Sequence, residues 1–206
     1  MHIPFLEIDL VSLITWAGYI GIFIIIFAEC GVLLGIFLPG DSLLFTAGFL
    51  ASQGKLDLAL LMLICFAGAV LGDNFGYAFG RRAGPAIFKK EDSFFFHKKH
   101  LERAARFYDA HGGKTIILAR FMPIIRTFAP ILAGVGRMNY RVFILYNLVG
   151  GALWAIGLTG LGYFLGSTIP GVDRYLFPIV LLIIIVSMLP GIIASLRSYI
   201  RKKKPQ

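Results

Sequence analysis

Apolar residues in this chain collect into blocks at about 12–38, 42–53, 56–80, 115–136, 142–166 and 175–196. A helix needs ~20 predominantly apolar residues to cross the hydrocarbon core of a bilayer. The blocks at 56–80, 142–166 and 175–196 reach that length and are predicted as spanning helices. The block at 42–53 is too short, and the block at 115–136 is interrupted by Arg120, Pro123, Arg126 and Pro130. Stretches of that kind are predicted to belong to re-entrant hairpins, which enter and leave on one side. Broken helices persist at membrane depth only where protein or water covers their backbone. The expected architecture is an all-α membrane protein with two re-entrant hairpins, three spanning helices and an amphipathic cytoplasmic helix at 97–111.

The polar positions orient this arrangement. No Lys or Arg precedes Lys55, whereas 81–114 is densely basic from Arg81 and Arg82 to Lys114, and the tail adds Arg197, Arg201, Lys202, Lys203 and Lys204. Short basic loops stay in the cytoplasm. That rule puts 81–114 and the C-terminus inside and the N-terminus outside. Parity agrees: with 115–136 as a hairpin, 142–166 runs outward and 175–196 returns, whereas a simple crossing at 115–136 would leave the basic tail outside. Within the cytoplasmic stretch, Leu101, Ala104, Ala105 and Tyr108 share one helical face flanked by basic residues. The pattern fits a helix lying on the anionic leaflet, and equally a loop helix packed beneath the protein. His97 and His100 lie three apart there, but two histidines among cations do not make a metal site.

Composition makes the membrane reading firm. The 206 residues are 58% hydrophobic and 15% charged, with a mean hydropathy of +0.81. Soluble domains carry about 25% charged residues. The net charge of +9 matters less than its placement. The length suits one membrane domain over 1–206. It divides into a half-repeat at about 12–80, a linker at 81–114, a second half-repeat at about 115–166, an extra span at 175–196 and a basic tail at 197–206. Cys30 and Cys65 stand in apolar runs and read as small buried residues, with no disulfide framework or zinc spacing. The opening MHIPFLEIDL lacks the basic region of a cleavable signal peptide.

Two short patterns recur in the same order. Phe37-Leu38-Pro39 matches Phe121-Met122-Pro123, and GYAFG at 76–80 matches GYFLG at 162–166, with separations that differ by only two residues. Each half thus reads as a broken hairpin followed by a spanning helix. The orientation above runs the first of those helices inward and the second outward, which predicts an inverted repeat. Interrupted hydrophobic segments at matching positions of two halves point to a transporter's binding site.

Five ionisable residues fall at or near membrane depth: Glu29, Asp41, Asp73, Arg120 and Arg126. Each costs on the order of 3 kcal/mol near the bilayer centre on insertion scales, so such residues face protein or water and serve substrates, ions or protons. The plainer role is a buried salt bridge between the hairpins, whose rupture costs ~3–5 kcal/mol. The two roles are compatible. Pro39 and Gly40 are expected to turn the first hairpin tip, with Asp41 or Ser42 capping the second arm. In the second hairpin, Pro123 is expected to end the first arm, Thr127 to cap the second and Pro130 to sit in its first turn. Arg126 then stands at a helix N-terminus, where N–H groups, dipole and guanidinium suit a phosphate or carboxylate. Glu29, in an apolar wall, is the carboxyl expected to couple proton uptake to movement. Asp73, beside Asn74 near the cytoplasmic end, reads as a helix-packing or gating residue.

These features resemble a known family. The stretches that carry the resemblance are the Glu29 to Asp41 pair with FLPGD, GDNFGYAFGRRAG at 72–84, HGGKTIILARFMPIIRTFAPILAGVGRMNYRVF at 111–143 and YNLVGGALWA at 146–155. Together they are similar to the DedA family of bacterial inner-membrane proteins, also described by the SNARE-associated or VTT domain, and within it to the DedA branch. The resemblance spans about residues 15–195. It implies that the family's required acids fall on Glu29 and Asp41 and its arginines on Arg120 and Arg126. It further implies two inverted hairpins, a role in envelope integrity and proton-motive force, and transport of a lipid carrier. Members of the family are implicated in returning undecaprenyl phosphate to the cytoplasmic leaflet, and related proteins in moving phosphatidylethanolamine.

The leading expectation is a proton-coupled flippase of an anionic lipid headgroup in the bacterial inner membrane. Arg120 and Arg126 would bind phosphate, and Glu29 and Asp41 would carry or gate protons. The alternatives are an ion or small-cation transporter with the arginines as counter-charges, a phosphatidylethanolamine flippase or scramblase, and a membrane scaffold. Metal-ligand clusters and nucleophile motifs are missing from the sequence, so an enzyme, a cofactor, a metal site and a nucleic-acid partner are not expected. Membrane lipids and protons are the expected partners, and the oligomeric state stays open.

Overall fold

The computed structural model describes residues 10–32, 38–87 and 113–168, with Pro178 alone beyond them. All regular structure among these residues is helical. Helix α1 is Leu10–Gly31 and bends at Gly18, whose φ of 57° favours glycine. Helix α2 is Gly40–Ser52, and α3 is Leu58–Ile87. Asp57 caps α3 by accepting from Leu60 N at 2.7 Å, while its own N–H donates to Tyr19 Oη at 2.8 Å and ties α1 to that corner. Helices α4 (Lys114–Arg120) and α5 (Pro123–Val135) are separated by Phe121 and Met122. Helix α6 (Tyr140–Gly151), a π-helical turn (Ala152–Ile156) and α7 (Gly157–Thr168) run on as one rod.

Among the described residues two helices, Leu58–Ala83 and Tyr140–Thr168, are long and apolar enough to cross a bilayer, as predicted for 56–80 and 142–166. The third predicted span at 175–196 apart from Pro178, the amphipathic helix at 97–111, most of the 81–114 linker and the basic tail lie outside the described residues. The polarity is inside-out for a soluble protein. Ile20, Leu118 and Phe164 are more than 60% exposed, whereas Glu29, Thr127 and Asn147 are buried to 1% or less. An apolar exterior around a polar centre is what lipid, not water, would solvate.

The helices pack crosswise. Helix α2 lies along α7, which carries GYFLG, and α5 lies along α3, which carries GYAFG. Both crossings are close. A Cβ on Gly162 would run into the Phe45 carbonyl and one on Gly48 into the Thr159 carbonyl. A Cβ on Gly80 would likewise meet the Ile131 carbonyl, and one on Gly134 the Tyr77 carbonyl. Tyr77, the tyrosine of GYAFG, stacks on Phe143 at 4.5 Å and donates to the Met138 carbonyl at 2.5 Å. Cys30 and Cys65 are buried free thiols, as read from the sequence.

The expected helix caps do not form. Helix α2 starts one residue before Asp41, with Pro39 at its N-cap and no side-chain cap. Ser42 donates to the Pro39 carbonyl instead, and Asp41 turns to tertiary partners. In α5, Pro123 itself is the first helical residue, so Thr127 is already inside the helix and does not cap it. Pro130 likewise sits in the helix interior rather than in the first turn. A proline is favoured at the first helical position because its missing N–H has no intrahelical partner there, and this advances the helix start past the predicted one.

Candidate functional site

All five ionisable residues that the sequence singles out come together in two linked ion-pair groups. In the first, Arg126 of α5 pairs with Glu29 of α1 and with Asp41 of α2, the latter from Nη1 to Oδ1 at 2.6 Å. Arg126 stands in the first turn of α5 and Asp41 in the first turn of α2. The acid is favourably placed against the positive end of its helix dipole. Thr127 Oγ1 donates to the Glu29 main-chain carbonyl at 3.3 Å, fixing α5 against α1. Gly40 lies directly on the Glu29 carboxyl, where a Cβ would overlap it. Gly40, the first residue of α2, is therefore the clearance that lets a carboxylate lie under that helix.

In the second group, Arg120 at the end of α4 pairs with Asp73 of α3 and donates to Asn147 of α6. Asn147 in turn donates to the Val70 carbonyl at 3.1 Å. Asp73, read as a helix-packing or gating residue, is 4% exposed and is the carboxylate opposite Arg120.

Trp154 joins the groups. Its ring lies over the Arg126 guanidinium, 4.7 Å from guanidinium carbon to ring centroid, with Arg120 at 6.0 Å. Its Nε1–H donates to Asp41 Oδ1 at 2.8 Å. Trp154 sits in the π-helical turn, a feature that often marks functional sites. Sequence reading assigned no role to Trp154 or Asn147. The available signal was a polar amide and an indole N–H inside an apolar span, each of which needs a buried partner.

Arg120, Arg126, Asp73 and Cys30 border a cavity of about 10 Å³, room for about one water. Glu29 Oε2, Arg120 Nη1 and Arg126 Nε are buried without a hydrogen-bond partner among the described residues. These are the unspent contacts of a polar centre whose main pairs are closed. Chemically, the arrangement offers two planar forks that match a carboxylate or phosphate, each held by a carboxylate that protonation would neutralise. No group of three or more metal-binding side chains occurs among the described residues.

Residues 38–164 match the VTT domain. The chain is 44% identical over 197 residues to Protein DedA of Escherichia coli (strain K12), covering 93% of this chain and 90% of the relative. It is 48% identical over 176 residues to an uncharacterized membrane protein of Mycobacterium leprae, covering 85% and 78%. Inner membrane protein YghB of Escherichia coli (strain K12) is 34% identical over 188 residues, covering 90% and 85%. No solved structure matches the chain. With regular structure that is all helical among the described residues, two apolar helices there long enough to span, a buried acid–arginine centre and these relatives, the chain belongs to the VTT-domain, or DedA, family of membrane proteins.

Proposed function

We propose that this protein is a proton-coupled flippase of an anionic lipid headgroup, with a polyprenyl phosphate of the undecaprenyl type as its substrate. The observation that carries the reading is the pairing of both buried arginines with carboxylates, Glu29 and Asp73 buried and Asp41 part-buried, inside a shell of lipid-compatible side chains. A phosphate offers guanidinium the same bidentate face as a carboxylate. A headgroup therefore competes with Glu29 and Asp41 for Arg126, and with Asp73 for Arg120. Protonating a carboxyl releases its arginine, which links proton supply to headgroup capture. The choice of undecaprenyl phosphate rests on the family resemblance alone.

The same reading takes the chain as an inverted repeat in the bacterial inner membrane. Helices α2 and α5 have 13 residues each, about 20 Å at 1.5 Å per residue, and a hydrocarbon core of ~30 Å is out of their reach. They read as the second arms of two re-entrant hairpins, and the crosswise glycine contacts support the pairing of the halves. The printed name of YghB supports the inner membrane, and the basic linker and tail support an outside N-terminus and cytoplasmic C-terminus.

The test is reconstitution in liposomes with undecaprenyl phosphate or phosphatidylethanolamine in one leaflet, with and without a pH gradient. Gradient-stimulated movement of the phosphate lipid is expected. Arg126→Lys keeps the charge but loses the planar fork, so it should be much slower than wild type. Full transport by Arg126→Lys would reduce Arg126 to a counter-charge.

A further inference from the structure

The charge balance of the buried centre fixes the sign of its coupling to protons; this inference rests on the phosphate reading above. Glu29 and Cys30 face the centre from α1, Asp41 from α2, Asp73 from α3, Arg120 from α4 and Arg126 from α5. Trp154, from the π-helical turn, brings no titratable proton. Among the described residues, three carboxyls thus oppose two guanidiniums. With every one of them ionised, the centre holds one negative charge in excess. Charge left uncompensated in a buried, apolar-walled site is costly and is relieved by protonation. A hydrated cation has no room in a cavity of about 10 Å³.

We propose that the centre binds its phosphate headgroup together with protons and never in exchange for them. Each guanidinium is already held by a carboxylate, so a phosphate that takes a guanidinium leaves that carboxylate buried and unpaired. The displaced group must then be protonated. No covalent bond forms or breaks. A phosphodiester anion brings one negative charge and draws one proton from solvent onto the displaced carboxyl. A dianionic phosphomonoester draws a second proton, onto another carboxyl or onto the phosphate itself. Headgroup and protons therefore travel in the same direction.

Isothermal titration of the full chain in detergent at about pH 8, above the second phosphate pKa of about 6, tests this. Farnesyl monophosphate and a short-chain phosphatidylglycerol serve as monoester and diester probes, each in buffers of differing ionisation enthalpy. Binding should take up about one proton for the diester and about two for the monoester, and affinity should rise about tenfold per proton for each unit of falling pH. Binding with proton release, or with none, overturns co-binding and leaves the phosphate reading standing. Failure of both probes to bind at any pH overturns the phosphate reading, and co-binding with it.

Discussion

Trp154 holds Arg126 and Asp41 at once: its ring covers the guanidinium at 4.7 Å and its indole N–H reaches the carboxylate at 2.8 Å. The π-helical turn at Ala152–Ile156 puts it there, out of the register that α6 and α7 alone would give. Trp154→Phe keeps a ring over Arg126 and removes the N–H. Hydrogen bonds to charged groups contribute about 1.5–3 kcal/mol, so thermal unfolding in detergent should register a loss of that order. Trp154→Leu also loses the ring and its packing, at ~3–5 kcal/mol. A Phe variant as stable as wild type would remove the Asp41 bond from the account.

Gly40 is held to glycine by the Glu29 carboxyl rather than by its own backbone angles. Gly40→Ala must push that carboxyl away or lift α2, at ~1–3 kcal/mol. In a Glu29→Ala background the obstacle is gone, so the same substitution should cost almost nothing further. Additive losses in this double-mutant cycle would mean that Gly40 answers to something other than Glu29.

Much of the fold was legible because apolar length is a one-dimensional quantity: the 26 residues of Leu58–Ala83 announce a span in the sequence itself. The five charged residues were legible for the opposite reason, as expensive groups in cheap surroundings. A salt bridge among them was foreseeable, but which acid meets which arginine was not. Arg126 meets Asp41 across 85 positions, and Arg120 meets Asp73 across 47, so local spacing carries no trace of either contact. The Asp41 cap failed for the same reason. Asp41 has the residue type of a cap, but Arg126 and Trp154 offer it charge-assisted and neutral donors that a helix start cannot match. Trp154 stayed hidden because a π-helical turn changes which face a residue occupies without changing composition.

Arg120 and Asp73 allow structure and function to be separated. Asp73→Asn leaves a buried guanidinium without its counter-ion, which should cost ~3–5 kcal/mol. Replacing both residues, Arg120→Met with Asp73→Leu, removes the two charges together and should restore most of that stability. If the pair also serves the substrate, the stable double variant will bind a phosphate headgroup more weakly than wild type, through Arg126 alone. A stable double variant with wild-type headgroup binding would leave Arg126 as the sole phosphate ligand.

Glu29 is the sharpest test of proton coupling, and the geometry changes what its removal should do. Glu29→Gln mimics a protonated carboxyl at nearly the same volume, and the amide oxygen can still accept from Arg126. Arg126 also keeps Asp41 at 2.6 Å, so the variant does not strand a buried cation. The ~3–5 kcal/mol expected for an unpaired charge should therefore shrink to about 1–3 kcal/mol, the scale of a single buried hydrogen-bond change. With the protein folded, its transport can be read directly. If protonation of Glu29 couples the gradient to movement, Glu29→Gln should still bind a phosphate headgroup, while its transport no longer responds to an imposed pH gradient. Early melting in detergent with an intact pH response would make Glu29 a structural partner. A stable and fully pH-responsive variant would exclude both roles for Glu29 and shift the proton site to Asp41, the other carboxylate on Arg126.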